Sequence, residues 1–154
     1  MAKTEKRADS GKKPLWRLLF LAYAMWMLWL LFGQRLGNGT SGALWDNMNL
    51  RPLETIRLFW NLLDHRNPAL VRHAVINLVG NVIMFVPLGF FLPLIFSRLR
   101  RFMKLVLTST LLIASVELVQ LFTRLGSCDT DDLILNLAGV ILGFLLWRIT
   151  AGRK

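Results

Sequence analysis

The sequence predicts an all-α integral membrane protein: a four-helix transmembrane bundle with a short interfacial amphipathic helix in the first outer loop. Three observations predict it. Of 154 residues, 55% are hydrophobic, too many for a soluble domain of ordinary composition. Four stretches, 15–33, 74–96, 102–122 and 133–149, have the apolar content of bilayer spans, which need roughly 17–25 residues. The basic residues gather at the ends of these stretches rather than along one face, so the net charge of +10 reads as membrane topology and not as a nucleic-acid footprint.

Residues 1–14 are charged, lack apolar periodicity and contain Gly11 and Pro14, which predicts a disordered basic cytoplasmic tail ahead of a membrane domain over 15–149 and a short cytoplasmic tail over 150–154. Lys3, Lys6, Arg7, Lys12, Lys13 and Arg17 lead into the first span. Arg98, Arg100, Arg101 and Lys104 link the second to the third, and Arg148, Arg153 and Lys154 follow the fourth. With four spans all three groups share a side, so the positive-inside rule puts both termini and the 97–104 link in the cytoplasm. The first apolar run is longer than a signal-peptide core and lacks a cleavage site, which makes it an uncleaved anchor. Trp16 and Trp147 are expected at the inner interface, Trp26 and Trp29 at the outer one.

The segment between the first two spans opens on a glycine-rich run that includes the triplet Asn38-Gly39-Thr40, a formal glycosylation sequon that chance readily produces. Pro52 is then a candidate helix start, because Ile56, Phe59, Trp60 and Leu63 recur at helical spacing while Arg57, Asn61 and Asp64 face the other way. Such a helix lies on the outer surface as a lid. His65 and His73 have no ligand-spaced partner and are expected to be solvated or capping. Cys128 is the sole cysteine, which rules out an intrachain disulfide.

The polar residues inside the spans carry the functional argument. Glu117 interrupts an otherwise apolar run, and an ionisable group in a bilayer costs several kcal/mol unless it finds partners. Asn77 and Asn81 share a helical face, as do Glu117 and Gln120, and Asp132, Asn136, Gly139 and Gly143 form one stripe that Asp129 extends by a turn. At about 1.5 Å of rise per residue, Asn81, Glu117 and Asn136 lie ~10, ~8 and ~6 Å below the outer ends of their spans. Three stripes at matching depth are expected to surround one acidic, amide-lined cavity open to the outside. Gly139 and Gly143 allow close helix approach. Pro87 and Pro93 remove helical hydrogen bonds and are expected to kink the second span, with Pro87 and Gly89 near the cavity floor. Asp131 points off the Asp132 stripe and is expected to be solvated.

Taken together, Asn49-Leu50-Arg51-Pro52-Leu53-Glu54-Thr55-Ile56, Asn77-x-x-x-Asn81-x-x-x-Phe85-x-Pro87-x-Gly89, Glu117-x-x-Gln120 and Asp129-x-x-Asp132-x-x-x-Asn136-x-x-Gly139 resemble the VanZ-like family, named for a teicoplanin-resistance protein. Leu53 stands where that family often has Phe. The resemblance implies a multi-pass protein of the bacterial inner membrane and reduced susceptibility to teicoplanin-type antibiotics, which act on lipid-linked cell-wall precursors at the outer face. The expected binding residues are Asn77, Asn81, Glu117, Gln120, Asp129, Asp132 and Asn136, and the expected ligand is a headgroup or cation. No cofactor is evident, although Asp129 and Asp132 are candidates to hold a divalent cation if substrate oxygens complete its shell. The expected partners are membrane lipids or a lipid-linked precursor, a second copy or another envelope protein, and not nucleic acid. Three other classes stay open: a metal-assisted membrane enzyme with Glu117 as acid or base, a small proton-coupled transporter, and a passive interaction module.

Overall fold

The computed structural model describes residues 2–33, 36, 43–64 and 66–151, with side chains from Pro14 onward. Five α-helices make up nearly all of it: α1 (Ala2–Leu31), α2 (Glu54–Leu62), α3 (Pro68–Ile95), α4 (Phe102–Phe122) and α5 (Thr130–Thr150). Four are long and apolar enough to cross a membrane, α2 being the exception. Two-residue strands β1 (Met48–Asn49) and β2 (Cys128–Asp129) pair in parallel, joining the segment before α2 to the turn before α5.

Helix starts differ from the expected bounds for local reasons. α3 begins at Pro68, because Asn67 accepts a hydrogen bond from the Ala69 N–H and Pro68 at the first helical position needs no donor. α5 begins at Thr130, where Asp129 caps it by accepting from the Asp131 N–H at 2.8 Å. α1 already includes Ala2, and Ala, Lys, Glu and Arg favour helix. Pro52 does not start α2: Leu53 adopts a left-handed conformation with φ 67°, and the helix follows it.

The packing centre is α5, which lies against α3 along most of its length and also contacts α4. Glycines set that approach. A Cβ on Gly139 would sit 2.1 Å from the Val82 carbonyl oxygen and one on Gly143 1.9 Å from that of Val86, while Gly89 answers from α3 with 1.9 Å to that of Val140. These contacts rise together along both helices, so α3 and α5 run in the same direction with their backbones touching. α3 continues as one helix through Pro87 and Pro93. Tyr23 of α1 donates to the Met84 carbonyl at 2.8 Å, one residue beyond the Ile83 carbonyl that Pro87 leaves without its helical donor.

At the end opposite the strands, Arg100 donates to the Pro93 carbonyl at 3.3 Å and its guanidinium lies 5.9 Å from the Trp147 ring centre. Trp147 is therefore buried beneath Arg100 and not an interface anchor as expected. Ile113, Val140, Phe144 and Leu105 form the apolar centre, and the outward faces of the long helices are rich in exposed Leu, Ile and Trp, as a lipid solvent requires.

Candidate functional site

The strand end of the bundle is closed by a clasp built from two segments far apart in sequence. Leu53, the residue before α2, has no side chain able to cap a helix. Asp131 supplies the missing acceptor from α5: its Oδ1 accepts from the Leu53 N–H at 2.5 Å and its Oδ2 from the Ile56 N–H at 2.9 Å. A carboxylate there also lies at the positive end of the α2 dipole. Asp131 is fully buried by this arrangement, which overturns its expected solvation: its place off the Asp132 stripe aims it at α2 instead of at water.

Asp129 completes the clasp. Its Oδ1 caps α5, while its Oδ2 accepts from Thr55 Oγ1 at 2.7 Å and from Asn49 Nδ2 at 3.4 Å. Asn49 also donates to Thr55 at 2.8 Å, and Thr130 Oγ1 donates to the Asn49 carbonyl at 3.2 Å. Both carboxylate oxygens of Asp129 are thus engaged in holding two segments together. Among the described residues, no group of three or more His, Cys, Asp or Glu side chains is placed to share a metal ion.

Beneath the clasp lie the polar groups of the helices. Asn81 Nδ2 donates to Asp132 Oδ1 at 2.6 Å, tying α3 to α5. One turn further in each direction, Asn77 and Asn136 hold their side-chain oxygens buried with no hydrogen-bond donor among the described residues. Glu117 belongs to the inward stripe of α4 with Ser109 and Ile113 and is 7% exposed. It lies within electrostatic reach of Cys128: burial pushes that thiol's pKa up, and the charges of Glu117 and Asp129 push it further. Asn81 and Asp132 are thus joined, Asn77 and Asn136 lie one helical turn from them on the same two helices, and Glu117 lies near β2 on α4.

Two expected site residues are used otherwise. Gln120 turns towards α1 and donates to the Leu31 carbonyl at 2.9 Å, satisfying a backbone oxygen at that helix's end. Pro87 faces Trp26 and Ile83 on the opposite side of α3, away from the expected cavity floor, whereas Gly89, Gly139 and Gly143 form the α3–α5 contact. His73 is exposed, with its ring 5.4 Å from that of Phe59, and His65 and the Asn38 triplet lie outside the described residues. Periodicity along single helices missed Asn49, Thr55 and Asp131. The signal for them was the excess of acids in Asp129-Thr130-Asp131-Asp132, more than one helix start can use.

The VanZ/LLP1 family profile matches residues 17–151, which takes in the clasp and the buried cluster. No curated protein and no solved structure matches the chain. A match over this share of the sequence shows the family: the chain belongs to VanZ/LLP1.

Proposed function

We propose that the cluster beneath the clasp binds a cationic group, the ammonium of a lipid headgroup or a small cation, in the outer leaflet of a bacterial inner membrane, and that through this site the protein lowers susceptibility to teicoplanin-type antibiotics. The observation that carries the reading is the imbalance of hydrogen-bonding groups. Asn77 Oδ1 and Asn136 Oδ1 are buried acceptors with no donor among the described residues, each one helical turn from the Asn81–Asp132 pair. A buried unsatisfied acceptor costs about 1–3 kcal/mol, so a native fold that keeps two of them near carboxylates suits a ligand that donates or is positively charged. The clasp lies at the same end of the bundle, where α2 contacts both α3 and α5.

The test replaces Glu117 with Gln and, separately, Asn136 with Leu, at expression matched to the wild type, and measures teicoplanin tolerance in a susceptible host. Both variants are expected to lose tolerance while still reaching the membrane. Full tolerance in both would show that the cluster is only a packing device and the protein a passive interaction module.

A further inference from the structure

On the face of α3 turned away from α5, a cleft of about 470 Å³ lies beside Arg66, Pro68, Arg72 and Ile76. A second, of about 520 Å³, continues from Val75 and Ile76 past Gly80 and Ile83 to Pro87, with Trp26 of α1 as its wall. The two share Val75 and Ile76, so they form one groove along the helix, apolar throughout its length and headed by two exposed arginines. From this juxtaposition we propose that α3 carries a second binding site, for a single phosphate-bearing membrane lipid whose phosphate is held by Arg66 and Arg72 and whose hydrocarbon chain lies in the groove between Trp26 and Gly80.

Three independent features converge on that occupant. The first is depth. The 28 residues of α3 rise about 42 Å, more than the roughly 30 Å of a hydrocarbon core, and with the apolar core taken over 74–96 the first turns of the helix and Arg72 fall at headgroup level. The second is charge. Among the described residues neither arginine makes an ion pair, and both are exposed beside the head of the groove, so their charge is open to an anionic group. A guanidinium offers a phosphate two parallel donors.

The third is Gly80. Glycine inside a helix is destabilising, and Gly89, Gly139 and Gly143 justify it by backbone contact with a neighbouring helix. Gly80 does not: a Cβ there would meet only its own helix's Ile76, at 3.9 Å. The space it leaves lies in the floor of the groove, where an unbranched chain fits against the bare backbone.

The experiment is native mass spectrometry of the full-length protein released from detergent micelles containing palmitoyl-oleoyl phosphatidic acid. The wild type is expected to retain one such lipid, and to retain diacylglycerol of the same chains or inorganic phosphate far less. Arg66→Gln with Arg72→Gln is expected to lower retention roughly thirtyfold, at about fivefold for each cation at a membrane surface. Gly80→Trp, which fills the groove without altering charge, is expected to abolish retention, whereas Gly80→Ala keeps it. Comparable melting temperatures for all variants establish that folding is not the cause; should Gly80→Trp fail to fold, Ile76→Trp fills the same groove from an exposed position. Retention by a folded groove variant equal to the wild type would overturn the chain's place in the groove, and equal retention of diacylglycerol would overturn the arginines' role. A dimer that Gly80→Trp dissolves, with no lipid retained by the wild type, would assign the groove to a second copy and overturn the proposal.

Discussion

Asn81 and Asp132, 51 residues apart, meet at 2.6 Å and fix the level at which α3 and α5 lie side by side. The glycines below them bring the backbones together, but a smooth contact of small residues has no strong preference for one turn over the next. A single polar pair supplies the register. Loss of either partner therefore weakens both stability and the register of α3 against α5.

A double-mutant cycle with Asn81→Ala and Asp132→Ala, followed by thermal unfolding in detergent, is expected to return a coupling of about 0.6–1.7 kcal/mol, the range of interhelical polar pairs in membranes. A coupling near zero would mean that the register comes from the glycines alone.

Asp131→Ala is expected to loosen the clasp without unfolding the bundle. The substitution orphans the Leu53 and Ile56 amides at the start of a short helix, a cost of about 1–3 kcal/mol confined to that element. Hydrogen exchange of the amides in α2 should accelerate roughly tenfold or more, while α3 and α5 keep their protection. Uniform acceleration across the chain would instead make Asp131 part of the global core.

Gly139→Leu or Gly143→Leu is expected to separate α3 from α5, because the first added carbon meets a backbone carbonyl that cannot move aside. Overpacking of this kind costs about 1–3 kcal/mol, and the melting temperature should fall accordingly. Gly80→Ala, whose methyl would make only an ordinary contact with Ile76 at 3.9 Å, should instead be neutral or stabilise by roughly 0.4–1 kcal/mol.

The four apolar helices and the inward stripe of Asp132, Asn136, Gly139 and Gly143 were legible in the sequence, because a bilayer demands long apolar runs and the 3.6-residue period sorts their polar residues onto faces. The short amphipathic helix was legible for the same reason. Asp131 was not, since a residue in the first turn of a helix obeys the geometry of that helix's surroundings and not its own stripe. Gln120 shared a face with Glu117, and yet one turn of depth sufficed to carry it to the end of α1. The pairing of β1 with β2 involves strands too short to show alternation, so the contact between Asn49 and Asp129 had no periodic trace.

Cys128 offers a native reporter for the charge of Glu117. Its thiol pKa is raised by burial first and by Glu117 and Asp129 after that, so at any given pH less of it is thiolate than of a free cysteine, and alkylation should gain rate only at higher pH. Neutralising a nearby negative charge removes one of the raising influences. Glu117→Gln is therefore expected to shift the alkylation profile of Cys128 towards lower pH, with the same plateau rate once the thiol is fully ionised. Occupation of the cluster by a cationic ligand acts with the same sign, which makes the Cys128 profile a direct assay for ligand entry in the wild type. An identical profile in wild type and Glu117→Gln would mean that the carboxyl carries no charge while the thiol titrates, and the acid would then enter the cluster as a hydrogen-bond donor.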